Sequence, residues 1–291
     1  MPELPEVETI RRDLGVLVGH RIVALKILNS KTAQPSAAFL KTHLLGKKIT
    51  TVSRTGKLLI LSLDNKYFLL IHLKMTGQLI YQVGKRKVYG GHSVQGQDKK
   101  SAIGGELPNK HTRAIFGFKN GGQLFFNDLR KFGYVKLVNQ AELAKIIATG
   151  YGPEPLTKEF TLKKFTAIFP GRRINLKALL LNQKLVAGLG NIYVDESLFR
   201  AGVKPERLAQ SLSQEEIARL FKAINNIIRR AIKYRGTTFS DYQDASGQAG
   251  NFSRHLEVYG RAKQPCLKCG RSLIKIKLAG RGTHYCQYCQ K

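Results

Sequence analysis

The chain has 291 residues, of which 43% are hydrophobic, and this allows one large domain or two modest ones with a buried core. Lys and Arg total 49 against 19 Asp and Glu, and the formal net charge of +30 favours a polyanionic partner, above all nucleic acid. An anionic membrane surface is the competing partner, but no apolar run reaches the roughly 18 residues of a spanning helix, so we expect a cytosolic or nuclear protein.

The first fifteen or so residues are predicted to form a helix. Pro5 is tolerated in a first helical turn, and the acids Glu6 and Glu8 lie at the positive end of the helix dipole. Apolar side chains recur at helical spacing, at Val7, Ile10, Leu14 and Leu17.

Residues 21–136 have a different pattern, of short apolar runs separated by turn residues. Asn120-Gly121-Gly122 lies between the runs 114–118 and 123–126, which is typical of a β-hairpin. This half is therefore predicted to be a β-sandwich.

Two segments lack apolar periodicity and are identified by their composition. Residues 84–109 are rich in Gly, Lys, Ser and Gln, and are predicted to form a long flexible loop. Residues 150–155 contain two glycines and two prolines, and are the best candidate for a linker between domains.

Beyond the linker the apolar period becomes helical. Ser213-Gln-Glu-Glu216 has the pattern of a capping box, an apolar stripe follows it, and Gly236 is a stop signal. Residues 175–189 and 192–201 are predicted to form two further helices.

The four cysteines lie in the last 26 residues, as two Cys-x-x-Cys pairs separated by sixteen residues. Such pairs can deliver four thiolates to one zinc ion, and four protein ligands leave no open position for catalysis. Two disulfides are the alternative, although nothing in the sequence indicates an oxidising compartment. The predicted ligands of this structural zinc are Cys266, Cys269, Cys286 and Cys289.

Pro2 is an unusual candidate nucleophile. Removal of Met1 would leave a secondary amine at the chain end, which can attack a sugar carbon and give a permanently cationic iminium. Glu3, one residue away, could transfer a proton. A proline at position 2 is common, however, and more often reflects only the trimming of Met1.

Seven blocks of sequence, spread over nearly the whole chain, carry a family resemblance. They are Pro2-Glu-Leu-Pro-Glu-Val-Glu8, Thr55-Gly-Lys57, His72-Leu-Lys-Met-Thr-Gly77, Asn127-Asp-Leu-Arg-Lys-Phe-Gly133, Gly188-Leu-Gly-Asn-Ile-Tyr-Val-Asp-Glu-Ser-Leu-Phe199, Val258-Tyr-Gly260 and Arg281-Gly-Thr-His-Tyr-Cys286. In content and order they resemble the formamidopyrimidine-DNA glycosylases, bacterial enzymes that remove 8-oxoguanine and ring-opened purines.

The resemblance implies four catalytic residues. Pro2 would be the Schiff-base nucleophile and Glu3 its acid partner. Lys57 would protonate the leaving 3′ phosphate oxygen in β-elimination. Arg281, between the two cysteine pairs, would assist δ-elimination through a guanidinium bound to a phosphate.

The resemblance also implies a DNA-contacting set. Met75, Arg130 and Phe132 match the wedge that fills the gap left by an extruded base, although core packing is the ordinary role of a Met or Phe. The remaining predicted DNA contacts are His72, His111, Arg172, Lys177 and Asn191.

The glycine-rich turn Gly188-Leu-Gly190 is similar to part of a dinucleotide-binding fingerprint. No strand precedes it and Tyr193 occupies the third glycine position, so the fingerprint fails. A turn whose amides bind one DNA phosphate fits better, as part of a helix-two-turn-helix module implied by the resemblance. His284, near the cysteines, is a further ligand-type side chain that could complicate the metal site.

Taken together, the sequence predicts an α+β multidomain enzyme of base excision repair, both DNA glycosylase and apurinic/apyrimidinic lyase. We expect a monomer in the bacterial cytoplasm that binds damaged double-stranded DNA and one zinc ion. An endonuclease VIII-like enzyme for oxidised pyrimidines and a non-catalytic DNA-binding zinc protein are the alternatives. The expected parts are a catalytic domain (1–150), a helix-two-turn-helix domain (151–236), a lesion-facing loop and connection (237–257) and a zinc finger (258–291).

Overall fold

The computed structural model describes residues 1–84, 86–91, 106–237 and 251–291. The chain divides into two compact units. The first unit comprises Met1–Ile147 and Tyr234–Asn251, and the second comprises Ala148–Lys233 and Phe252–Lys291.

Two five-stranded sheets form the first unit, with the strand orders β1-β8-β9-β6-β7 and β2-β10-β5-β4-β3. All strand pairs are antiparallel except β2 with β10. The helices are α1 (Leu4–Asp13), α2 (Ala37–Leu44) and α3 (Gln140–Gly150), whose last residues belong to the second unit. The strands are β1 (Ile22–Ile27), β2 (Ala33–Gln34), β3 (Ile49–Thr55), β4 (Leu58–Leu63), β5 (Phe68–His72), β6 (Gly77–Val83), β7 (Arg86–Gly91), β8 (Thr112–Phe118), β9 (Gln123–Asp128) and β10 (Tyr134–Val138).

One hydrophobic core is shared by both sheets and by α1. Leu61 of β4 and Ile71 of β5 belong to the same buried cluster as Leu79 of β6 and Phe116 of β8, so the predicted β-sandwich is confirmed. The apolar stripe of α1 enters this cluster too, through Val7, Ile10, Leu14 and Leu17, with the last two in a 3₁₀ turn that follows the helix. The predicted N-terminal helix is therefore confirmed.

The predicted loop at residues 84–109 is wrong for part of its length. Residues 86–91 form β7, which pairs antiparallel with β6 from Val83↔Arg86 to Gln78↔Gly91. Val88 is buried in the sandwich core. The polar composition of the segment gave no sign of a strand, because the strand depends on its pairing with β6. Residues 92–105 lie outside the described part of the chain.

The second unit consists of short helices and a C-terminal hairpin. The predicted capping box is present: the Ser213 amide donates to Glu216 Oε2 at 2.9 Å, and the Glu216 amide donates to Ser213 Oγ at 3.3 Å. The elements are α4 (Leu162–Thr166), α5 (Leu176–Leu181), α6 (Asn191–Ala201), α7 (Gln214–Lys233), β11 (Ile274–Leu278) and β12 (Arg281–Tyr285).

The helix predicted for residues 175–189 ends earlier than expected. Asn175 caps α5, but the helix stops at Leu181 because the next residues bond among themselves. The Asn182 side chain accepts the Lys184 amide, and Gln183 binds both the Gly188 amide and the Leu189 carbonyl. These bonds build a turn in front of α6.

An ion-pair cluster ties α1 to β3. Glu8 accepts hydrogen bonds from Arg11 and Arg12 of its own helix at 2.8 Å each, and from Arg54 of β3 at 2.9 Å. Burial alone would raise the pKa of Glu8, but the hydrogen bonds from Arg11 and Arg12 and the charge of Arg54 lower it to about 2.

We predict that this cluster makes stability depend on acid pH. A carboxylate with a lowered folded-state pKa stabilises the fold above its unfolded pKa, and the contribution, at most about 3 kcal/mol, disappears as the pH falls from about 5 to about 2. Urea unfolding followed at several pH values should therefore show a shallower acid loss for Glu8→Gln than for the unsubstituted protein. Glu142→Gln, in the exposed first turn of α3, should keep the full loss. Identical pH profiles for the Glu8 variant and the unsubstituted protein would contradict the assignment.

Candidate active site and DNA interface

The beginning of the chain is held inside the first unit. Pro2 is buried, and Glu3 at the N-cap of α1 is only 3% exposed. The Glu3 amide donates to Glu6 Oε2 at 2.9 Å, while Glu6 Oε1 accepts the Thr237 amide at 2.7 Å and the Thr237 hydroxyl at 3.0 Å. The carboxylate of Glu6 thus fixes the chain end. Sequence reasoning placed Glu6 only at the helix dipole, although the Glu3-x-x-Glu6 spacing of a capping box was visible.

The terminal amine lies among ionisable groups. Burial lowers its pKa below the ordinary value, Glu3 and Glu6 act in the opposite direction, and Lys57 lowers it further. The amine belongs to Met1 here, and removal of Met1 would move it by one residue onto Pro2. A lowered pKa leaves more of an amine unprotonated near neutral pH, as a nucleophile requires.

Lys57 and His72 lie at neighbouring strand ends. Lys57 is 5% exposed and directly precedes β4, whose first residue, Leu58, pairs with His72 at the end of β5. Burial, then the charges of Lys74 and Lys57, lower the pKa of His72 to about 3. The Lys74 amide donates to His72 Nδ1 at 3.0 Å. His72 is therefore a neutral imidazole whose proton is on Nε2.

The three predicted wedge residues form one exposed cluster. Arg130 Nη1 donates to Met75 Sδ at 2.9 Å, and its guanidinium lies 4.8 Å from the centroid of the Phe132 ring. Met75 is 39% exposed and Phe132 is 53% exposed, which excludes core packing for both. His111 lies near this cluster, since its carbonyl accepts the amide of Asp128, two residues before Arg130, at 2.9 Å.

The second unit holds the other predicted contacts. Lys177 is wholly buried, and its Nζ donates to Asp195 Oδ1 at 2.6 Å and to the Gly282 carbonyl at 3.2 Å. Asn191, the first residue of α6, donates to the same carbonyl at 2.9 Å. Arg281 and Arg172 are exposed. Sequence reasoning missed Asp195, which gave no local signal beyond its place in the Gly188–Phe199 block.

The four cysteines form a cluster that fits one metal ion. Their sulfur atoms all lie within 4.8 Å of one another, with Cys266 and Cys289 3.9 Å apart and Cys269 and Cys286 3.6 Å apart. Tetrahedral zinc with Zn–S bonds of about 2.3 Å requires sulfur separations of about 3.8 Å. His284 is not part of the cluster, and its Nδ1 lies 3.6 Å from Asp195 Oδ2.

Comparisons with known proteins give a consistent result over the whole chain. The family profile of the formamidopyrimidine-DNA glycosylase N-terminal domain matches residues 1–135, that of the H2TH domain of the same glycosylase matches residues 151–243, and that of the zinc finger found in FPG and IleRS matches residues 263–291. The chain belongs to the formamidopyrimidine-DNA glycosylase family.

Individual relatives agree with this family assignment. The formamidopyrimidine-DNA glycosylase of Pelotomaculum thermopropionicum is 42% identical, and the match covers 100% of this chain and 99% of that protein. The enzyme of Carboxydothermus hydrogenoformans is 41% identical, with both chains fully covered. A Lactococcus lactis Fpg structure in complex with abasic-site DNA is similar with a TM-score of 0.86 and 35% identity, over 99% of both chains.

Membership of the glycosylase family supports a structural zinc ion, because the zinc-finger match covers all four cysteines that the structure brings together. None of the helices in the described part of the chain combines the length and the hydropathy that a membrane-spanning segment needs. Residues 238–250, within the predicted lesion-facing loop 237–257, lie outside the described residues.

We predict that His72 does not titrate between about pH 5 and pH 8, because its pKa is about 3. Ring ¹⁵N NMR, with the His72 signals assigned by their loss in His72→Gln, should show one tautomer protonated on Nε2 across this range. In the urea-unfolded chain the same ring should titrate with a pKa of about 6.5. A folded-state titration in the neutral range would refute the prediction.

We also predict that zinc and the fold of the C-terminal segment are lost together. Cys269→Ser removes one of four ligands, so zinc content should fall and the backbone amides of residues 263–291 should lose protection from hydrogen exchange. Gln287→Ala, an exposed change between two ligands, should retain both. Full zinc content in the Cys269 variant would show that the four thiolates are not the ligand set.

Proposed function

We propose that this chain is a DNA glycosylase and apurinic/apyrimidinic lyase of base excision repair, acting on oxidised purines such as 8-oxoguanine and formamidopyrimidines. The observation that carries the proposal is the burial of Pro2 and Glu3 in the first unit, together with the buried Lys57, whose charge acts on the terminal amine. A non-catalytic DNA-binding protein does not need a candidate nucleophile buried with an acid and a base.

The first step would be displacement of the damaged base. The Pro2 nitrogen, freed by removal of Met1, attacks the sugar carbon that carries the base. The carbon–base bond breaks with its electron pair going to the base, and the departing base takes up the proton that the nitrogen loses. Glu3 would protonate the sugar ring oxygen, which opens the ring and leaves an iminium between Pro2 and the sugar. Because the nitrogen of an iminium from a secondary amine is always cationic, it attracts electrons without a further proton.

Strand cleavage would follow from the same iminium. Loss of a proton from the adjacent sugar carbon expels the 3′ phosphate, whose leaving oxygen Lys57 would protonate. A second elimination expels the 5′ phosphate, and we propose that Arg281 binds and stabilises that group. Water then adds to the carbon of the remaining iminium, the carbon–nitrogen bond breaks, and the amine is restored with the sugar fragment released as an aldehyde. The zinc ion would hold the fold of the segment that carries Arg281, without taking part in the chemistry.

Access to the sugar carbon requires extrusion of the nucleotide from the duplex. We propose that Met75 and Phe132 fill the gap and that Arg130 binds the orphaned base, because the three lie exposed in one cluster. His72, as a neutral Nε2–H donor, and His111, Arg172 and Asn191 are proposed to contact DNA. A phosphate contact by Lys177 would require its ammonium to leave a fully buried ion pair, so we propose that Lys177 supports the Arg281 turn instead.

We further propose a monomer in the bacterial cytoplasm, associated with the nucleoid when it is bound to damaged double-stranded DNA. The proposed domain bounds are 1–150, 151–236, 237–257 and 258–291. The net charge of +30 supports the polyanionic partner.

We predict that borohydride traps a covalent complex between Pro2 and duplex DNA containing 8-oxoguanine. Protein that keeps Met1 should be inactive, and Glu3→Gln should impair base removal more than attack on a preformed abasic site. Peptide mapping of the adduct identifies the nucleophile. An adduct on Lys57 with Pro2 unmodified would overturn the assignment, and faster trapping on thymine glycol than on 8-oxoguanine would indicate a pyrimidine enzyme.

A further inference from the structure

We propose that Asp128 is a positioning residue that holds the wedge cluster of Met75, Arg130 and Phe132 in place before DNA is bound. This inference rests on the proposed function, since it concerns how that function extrudes a base. Asp128 touches none of the reacting atoms. It acts through the two loops that carry the wedge side chains, residues 73–76 and residues 129–133.

The carboxylate of Asp128 accepts hydrogen bonds from both loops. It lies at the end of β9 and is fully buried. Oδ1 accepts the hydroxyl of Thr76 and the amide of Arg130, the latter at 3.2 Å, and Oδ2 accepts the amide of Gly133 at 2.7 Å. The Arg130 amide also donates to Thr76 Oγ1 at 3.0 Å, which joins the loops directly.

Both loops have backbones that need such support. Lys74 and Lys131 have left-handed conformations, with φ of 50° and 59°, which side chains with a Cβ atom rarely adopt. A glycine with no room for a side chain also stands at the end of each loop: Gly77 directly follows the first, and Gly133 is the last residue of the second. A Cβ at Gly77 would lie 2.4 Å from the Leu73 carbonyl oxygen, and one at Gly133 would lie 2.6 Å from Phe126 Cζ.

Because Asp128 is buried, the positions of the two loops are coupled. A buried carboxylate that loses its donors is neither solvated nor paired, so the free energy is lowest when both loops are closed on it together. The backbone of Asp128 is fixed as well, because its carbonyl accepts Arg113 Nε at 2.8 Å and its amide donates to the carbonyl of His111.

A wedge held in this way does not have to be ordered when it enters the duplex. Ordering exposed side chains at the moment of binding costs conformational entropy, and preorganisation removes that cost. The structure therefore assigns Asp128 to base extrusion, and its loss should slow steps that need the wedge while sparing those that do not.

Asp128→Asn tests the assignment, because an amide offers one acceptor oxygen and turns an N–H donor toward another donor. The measurement is single-turnover borohydride trapping on two DNAs: an 8-oxoguanine·cytosine duplex, and an abasic site in an unpaired bubble, where no base has to be extruded. We expect at least a tenfold lower rate on the duplex and a change of less than twofold on the bubble. A 2-aminopurine placed beside the lesion should also show slower unstacking.

Thr76 supplies a second variant that changes the same contact in a milder way. Thr76→Val removes the hydroxyl and should give a smaller loss of the trapping rate, again on the duplex and not on the bubble. Thr76→Ser keeps a hydroxyl and should keep the duplex rate. Asp64→Asn, an aspartate paired with Arg21 on a distant turn, is the matched control and should act like the unsubstituted protein on both DNAs.

Equal losses on duplex and bubble in both the Asp128 and Thr76→Val variants would overturn the proposal, because they would indicate a general defect of the fold. Unchanged duplex rates would overturn it as well. If the unsubstituted protein forms a trapped complex on neither DNA, the proposed function itself fails, and this outcome is distinct from the other two.

Discussion

The carboxylate of Glu6 accepts hydrogen bonds from two segments that are far apart in sequence, and the position of the buried start of the chain depends on it. One oxygen accepts the Glu3 amide and the other accepts the amide and hydroxyl of Thr237. Chain termini ordinarily fray, because few contacts oppose their conformational entropy. Here Pro2 and Glu3 are buried and the Glu3 amide is hydrogen-bonded, and burial lowers the pKa of the terminal amine.

In both units, buried carboxylates join segments that are distant in sequence. Asp128 accepts hydrogen bonds from Thr76, Arg130 and Gly133. Asp195 pairs with Lys177 through one oxygen, and its other oxygen accepts the His284 amide at 2.8 Å. In a chain with 19 acids against 49 bases, these carboxylates face inward and bind protein donors. Removing one partner of such a buried pair leaves an uncompensated charge, at a cost of about 3–5 kcal/mol. The exposed basic side chains remain available for a polyanion.

The features that could be predicted from the sequence are those marked by a pattern within a short segment. The α1 stripe, the β8–β9 hairpin, the Ser213 capping box and the cysteine pairs are all periodicities or spacings within a short segment. The contacts that organise the site are not: Glu6 and Thr237 are 231 positions apart, and Thr76 and Asp128 are 52 positions apart. Lys177 shows the limit most clearly, because a lysine in a basic chain suggests a phosphate contact until its buried partner, Asp195, is located. Residues 86–91 show a second limit, since only the pairing with β6 makes a polar segment a strand.

The base of the segment between Tyr234 and Asn251 is closed by a hydrogen bond of 2.8 Å from the Asn251 amide to the Tyr234 carbonyl, and Thr237 is anchored to Glu6. A segment tied at its base can change in length at little thermodynamic cost, about 0.6 kcal/mol for each doubling. Changes in the length of this segment would therefore leave the bonds of Glu6 to Glu3 and to Thr237, and with them the buried start of the chain, as they are.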